Sequence, residues 1–160
     1  MRRKEYEKDL EFGLEILKRS GHMALATFGR DGYPYVIFVS PVYYQDKIYF
    51  HCAMEGEKID NLRKNPKVCL SCYIDEVLKP EFITLHFDSL VIRGTAREII
   101  DEKRKDEILL VLCEKWFPDH LEAAKKTIAG EGKQVKPAGF TGIWEITIDA
   151  LSCKSKRHFW

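Results

Sequence analysis

The sequence predicts an α+β fold dominated by β-structure, in which six or so antiparallel strands wrap into a small closed or partly closed barrel with helices inserted between them. Three observations carry this. Short runs rich in Val, Ile, Phe and Tyr recur along the chain and are divided by turn chemistry, as in a meander. Segments with apolar residues at helical spacing stand before and between these runs. A sheet of this size must hide its edges, and closure removes them. At 160 residues the chain suits one domain, 1–160, with a core of its own.

The elements follow in order. Leu10, Leu14 and Leu17 among charges predict a helix over residues 4–19, stopped by Ser20-Gly21. His22 to Phe28 and Tyr33 to Tyr44 read as a hairpin about the turn Gly29-Arg30-Asp31-Gly32, and Lys47 to Ala53 returns after Gln45-Asp46. A short helix over Glu55 to Lys64 ends before Asn65-Pro66, because the residue before a proline is pushed out of the helical region. Lys67 to Ile74 is a fourth strand. Phe82 to Ile100, after a loop holding Pro80, is one bent strand or two, with Gly94 suited to a bulge.

Asp101 can cap a helix over 102–117 whose crowded apolar residues imply deep packing, and Pro118 opens another to about Ala129. Gly130 to Gly139 is the most loop-like segment, suited to a lid. In Thr141 to Asp149, Trp144, Ile146 and Ile148 alternate with Ile143, Glu145 and Thr147 as in a final strand. The basic end Lys154 to Trp160 reads as a solvated terminus.

Composition narrows the function. The 26 Lys and Arg against 25 Asp and Glu disfavour nucleic acid as the main partner, since neutralising phosphates needs a basic excess. No apolar run is long enough to span a bilayer and no signal segment opens the chain, so a cytoplasmic protein without membrane contact is expected. The five cysteines are scattered and read as free thiols. Cys69 and Cys72 have a zinc-like gap, but in a strand they face opposite ways and cannot close on one metal. The histidines lack metal spacing, and the hydrolase, Walker and dinucleotide motifs are absent, so no metal site is expected.

One segment points to chemistry. Ile48 to Leu62 runs from a strand through a Gly-containing turn into a helix, where free backbone N–H groups and the positive dipole end meet Lys58 in the first turn. A phosphate suits that place; a solvated lysine is the plainer reading. His51, between Phe50 and Cys52, is a hydrogen-bond donor, an acid or base, or a core histidine. Ser89 opens an apolar strand and is otherwise a strand-end hydroxyl.

Asp31-Gly32-x-Pro34-Tyr35-Val36, Ile48-Tyr49-Phe50-His51-x-Ala53-x-x-Gly56-x-Lys58-x-x-x-Leu62, Asn65-Pro66-x-Val68 and Ser89-Leu90-Val91-Ile92-x-Gly94-x-Ala96 stand in this order. Together they resemble the pyridoxamine 5'-phosphate oxidase-like flavin-binding split barrels, most of all the nitroimidazole-resistance branch. The resemblance covers residues 22–100, with a weaker match over 142–154. It implies a six-stranded antiparallel Greek-key split barrel with flanking helices, working as a homodimer with flavin mononucleotide (FMN) between protomers. By motif position, Lys58 and Ser89 would hold the phosphate. The strand Tyr35, Val36, Ile37, Phe38, Val39 and Ser40, together with Phe50 and His51, would flank the ribityl chain and ring, and Trp144 would contact flavin from the partner chain. Glu57 stands where the vitamin B6 oxidases have a second basic residue, and their C-terminal Trp and Arg motif is absent, which argues against pyridoxamine phosphate oxidation. The function implied is an FMN-dependent oxidoreductase. It would reduce small electron-poor, nitro-aromatic-like compounds with NADH or NADPH as donor, with His51 nearest the substrate as proton donor or orienter. The alternative is a non-catalytic protein of the same fold that stores or senses flavin or holds haem.

Overall fold

The computed structural model describes residues 3–131 and 141–157. Among them, eight strands form one antiparallel sheet: β1 (Glu7–Lys8), β2 (Met23–Phe28), β3 (Pro34–Val39), β4 (Val42–Tyr44), β5 (Lys47–Ala53), β6 (Lys67–Lys79), β7 (Thr84–Ile99) and β8 (Thr141–Lys156). Their order is β3-β2-β6-β7-β8-β5-β4, with β1 added to β8. The sheet curls about one core that includes Leu25, Phe50, Leu70, Ile92, Trp144 and Ile146, against which α1 (Leu10–Arg19) lays Ile16 and Leu17. The terminal strands β3 and β4 do not pair with each other, so the barrel is split rather than closed. A second cluster joins Tyr49 and Ile143 on the outside of β5 and β8 to Ile108 and Leu112 of α3 (Glu102–Trp116). Two shorter helices, α2 (Glu57–Lys64) and α4 (Leu121–Ile128), complete the fold.

The two strands beyond the expected six are short, and each has a local cause. The predicted first helix starts only at Leu10, where the Asp9 carboxylate accepts from the Phe12 N–H at 2.9 Å. Residues before it lack an apolar stripe and are taken by a 3₁₀ turn and by β1, which pairs with Cys153 and Lys154. The predicted strand from Tyr33 to Tyr44 breaks at Ser40-Pro41, since proline has no N–H for a ladder, and β3 and β4 emerge at opposite ends of the sheet order.

The long strands exceed the expected ones. β6 continues past Ile74 through a register shift, and Phe82 to Ile100 resolves as the single strand β7. A second shift against β8 falls between Arg93 and Gly94, at the expected bulge. Asp101 caps α3, accepting from the Arg104 N–H at 2.8 Å. The residues Lys154 to Lys156 are not a solvated tail, for β8 runs on to Lys156 beside β7, and the Arg157 guanidinium donates to the buried Asp88 at 2.6 Å. The expected lid falls mostly on residues 132–139, outside the described residues, as do residues 158–160. Cys69 lies on the outer face in register with Ala26 and Arg93, whereas Cys72 packs against the core, so the two thiols do face apart. All five cysteines are free. Among the described residues, no helix is long and apolar enough to cross a membrane.

Candidate functional site

The split has two lips. On one side β3 pairs only with β2, which leaves the backbone N–H and C=O groups along its other edge without a strand partner. On the other, β4 covers β5 only from Lys47 to Tyr49, so the edge of Phe50 to Ala53 is likewise uncovered among the described residues. An edge of alternating donors and acceptors must be met by water, a chain or a ligand. Of the residues predicted along β3, Ile37 and Val39 turn inward to the core, while Val36 and Phe38 turn outward, Phe38 being 78% exposed. The Ser40 hydroxyl, past the strand end, is hydrogen-bonded to His22 Nδ1 at 2.9 Å.

Beyond Ala53 the chain turns through Gly56, at φ 117°, into α2. Among the described residues, a β-carbon at Gly56 would meet nothing within 4 Å, so the approach to the backbone is open, and no side chain caps the first-turn N–H groups. Lys58 stands in that first turn, half-buried, with Nζ 5.9 Å from the centre of the Phe50 ring. No carboxylate pairs with it among the described residues. α2 is fixed from behind by Asn61, whose side-chain amide donates to Thr27 on β2 at 3.2 Å, and by Arg63, which clasps Glu98. Asn61 was not singled out by sequence; a single amide between Ile59 and Leu62 does not show that it, too, is buried.

His51 lies on the opposite face of β5 from Phe50, beside Ile143. Although His51 keeps one side open to solvent, partial desolvation of its imidazole, and then the nearby Lys58 ammonium, hold its pKa below the ordinary histidine value, which favours the neutral ring at pH 7. Burial pushes the neighbouring Cys52 thiol up although Lys58 pulls the other way, so Cys52 is no thiolate there. Trp144 is the register partner of Phe50 and only 3% exposed. It packs in the core of its own chain rather than facing a partner, and its indole N–H is buried without a hydrogen bond among the described residues.

Ser89 is not beside Lys58. The row Phe50, Trp144, Glu98 runs across the sheet near Lys58, and Ser89 is nine positions further along β7, roughly 30 Å at strand rise. Both residues can touch one phosphate only if they come from different copies. Ser89 instead shares the outer face of the sheet with Tyr73, and the next row there is Phe38, Ala24, Ser71, Val91 and Ser152. The exposed Phe38, Tyr73 and Val91 stand on this face around the small Ala24 and Ser71.

The pyridoxamine 5'-phosphate oxidase family matches residues 13–155 of the chain. Among solved structures, a candidate 5-nitroimidazole antibiotic resistance protein from Bacteroides thetaiotaomicron is similar, with TM-score 0.74 and 19% identity over 92% of this chain and 84% of that one. The flavocytochrome Anf3 from Azotobacter vinelandii gives 0.75 and 20% over 99% and 72%, and the FAD and heme binding protein from Mycobacterium smegmatis gives 0.78 and 16% over 96% and 75%. At these identities the likeness is one of fold. No curated protein sequence matches.

Proposed function

Because the chain belongs to the pyridoxamine 5'-phosphate oxidase family, we propose that it is a flavoprotein that holds FMN in the split and passes electrons from NADH or NADPH to small electron-poor, nitro-aromatic-like acceptors. One observation carries the reading: Lys58, a cation without a carboxylate partner among the described residues, stands in the uncapped first turn of α2, directly after the uncovered lip of β5. A phosphate monoester wants that combination of full charge and backbone donors.

The residues present fit such a cofactor. The free edge of β3 offers alternating backbone donors and acceptors to the imide edge of a flavin ring, and the open backbone at Gly56 admits a phosphate. Flavin, when bound, supplies the redox chemistry, and the chain supplies position and electrostatics. Lys58 and the α2 N–H groups bind the phosphate. Phe50 supports the Lys58 stem from within the core. His51, neutral and at the lip, orients an acceptor through a ring nitrogen and holds or yields a proton there. A second copy seats on the outer face about Phe38, Val91 and Tyr73, which brings its Ser89 to the Lys58 of the first and makes the functional unit a homodimer.

The absorption spectrum of the purified protein tests this, followed by identification of the released chromophore. Two bands in the near-ultraviolet and blue, with FMN released at one per chain, support the reading, and turnover of a nitro-aromatic with NADH or NADPH then separates an enzyme from a flavin carrier. A single intense Soret band would assign haem instead. A colourless protein that refuses added FMN would overturn the proposal.

A further inference from the structure

A hollow of about 730 Å³ opens on the outer side of the sheet beside the β2–β3 turn, and none of the residues placed at the flavin site lines it. Its size is that of a small-molecule site. Phe28, Tyr33 and Pro34 form one wall, Ala26 and Ala150 face it with minimal side chains, and Cys69 sits at its floor. Phe28 and Tyr33 are exposed aromatic rings that no core residue covers.

The charges around this hollow are unequal. At the bulge between Arg93 and Gly94 the register passes from Ala150 to Ile148, so Asp149 is the extra residue and is turned toward its neighbours. Its carboxylate accepts from the Thr95 hydroxyl at 2.7 Å and from Lys67 Nζ at 3.0 Å, and Lys67 also donates to Thr95 at 2.8 Å. Those contacts hold Asp149 ionised and neutralise Lys67. Arg93 is left. Arg19, Arg63, Arg97, Arg104 and Arg157 each grip a carboxylate, whereas Arg93, like Arg3 and the turn residue Arg30, holds none among the described residues, and of these three only Arg93 lines the hollow. One guanidinium therefore stands uncompensated at the wall of a hollow whose other charges, Lys67 and Asp149, are paired, and a planar donor fork of this kind matches a carboxylate or sulfonate.

We propose that this hollow is a second ligand site, separate from the flavin site, that takes a flat aromatic anion: the ring against Phe28 and Tyr33, the anionic group on Arg93. The assignment uses residues other than those placed against the flavin phosphate and ring, but it lies on the same outer face as the seat of the second copy, one row from Phe38 and Val91, and so it rests on that copy leaving the hollow open.

The test is a fluorescence titration of the full chain with 8-anilino-1-naphthalenesulfonate. One saturable site per chain is expected, weakened about ten- to a hundredfold by Arg93→Ala, the scale of one charge-assisted contact, and less by Arg93→Lys. Cys69→Trp, which fills the floor, abolishes binding. Alkylation of Cys69 by iodoacetamide, followed by mass spectrometry, gives a reading local to the hollow: 2-naphthoate protects the thiol and the uncharged 2-naphthalenemethanol does not. The proposal is overturned if dye affinity ignores both substitutions. It is overturned too if Cys69 is unreactive without ligand, because a second copy then fills the hollow. Displacement of the dye by FMN would also overturn it, by merging the two sites. Loss of flavin binding with the dye site intact would instead sink only the flavin reading.

Discussion

Replacing Lys58 by Ala isolates the charge on which the flavin reading turns. The ammonium is half-buried and free of a carboxylate, so in the unliganded protein its removal breaks only a cation–π contact with Phe50 and the neighbourhood of Cys52. Stability should therefore change by no more than about 0.5 kcal/mol, as at an ordinary surface site. Against a bound phosphate the same deletion removes one charge-assisted hydrogen bond, about 1.5–3 kcal/mol. At 1.4 kcal/mol per tenfold, that weakens FMN binding by about 10- to 150-fold. The loss is not total, because the first-turn N–H groups of α2 and the free edge of β3 remain. Riboflavin has the same ring and no phosphate, so its affinity should stay within about twofold on the same scale. Quenching of flavin fluorescence, measured for both ligands on both proteins, reads the difference directly. An unchanged FMN affinity would refute the phosphate role, and an equal loss for FMN and riboflavin would show that Lys58 shapes the site rather than binding charge.

The phosphate should also be felt by His51: by offsetting Lys58 it raises the imidazole pKa toward 6.5. A proton NMR titration of the His51 ring with and without FMN follows this, and an identical pKa in both would separate the two residues. In the free protein the depressed pKa means that the unfolded chain takes up the proton first, so stability falls as pH drops below about 6.5. Glu145 is a structural counterpart. Burial alone would raise its pKa, yet hydrogen bonds from Lys47 at 2.7 Å and Tyr49 at 3.1 Å, with the charges of Lys47 and Arg97, hold it below the usual carboxylate range. Its contribution is complete above the unfolded pKa and lost as pH falls through the folded one; Glu145→Gln should cost about 1–3 kcal/mol in urea unfolding at pH 7 and flatten that acid limb, whereas parallel pH curves would refute the linkage. Gly94→Ala places a β-carbon 2.5 Å from Ile146 Cγ2 and 2.6 Å from the Thr147 carbonyl oxygen, so about 1–3 kcal/mol of overpacking is expected as a lower thermal midpoint, and an unmoved midpoint would mean that the bulge relaxes freely.

What the chain order betrays depends on which forces act locally. The helices 102–117 and 55–64 were legible because periodicity and caps are near-neighbour effects: Asp101 does cap, and Asn65-Pro66 does end α2. β1 and the last turn of β8 were not, for Glu7, Lys8, Lys154 and Lys156 show no apolar alternation and become strand only because each finds a partner more than a hundred residues, or some seventy, away. The break at Ser40-Pro41 carried a visible proline, but a run of β-formers on both sides masked it. The site divides in the same way. Lys58, Phe50 and His51 are neighbours in sequence and in space, whereas the distance of Ser89 from them along β7 is set by strand length and register, which residue types do not encode. Arg93 escaped notice because an unpaired charge is defined by what the fold fails to place beside it.

β8 carries a consequence for how the molecule comes into being. It pairs with β5 along Thr141 to Thr147 and with β7 along Ile143 to Lys156, and it takes β1 near its far end, yet it follows both of those neighbours in the sequence. Until Thr141 to Lys156 have left the ribosome, the flanks of both β5 and β7 are bare ladders, and one of them is sixteen residues long. Such edges recruit foreign strands, and closure has to wait for contacts of high sequence separation. Slow translation or early termination after α4 would release a sheet missing the strand that joins β5 to β7, prone to aggregate where a chain that includes β8 closes on itself.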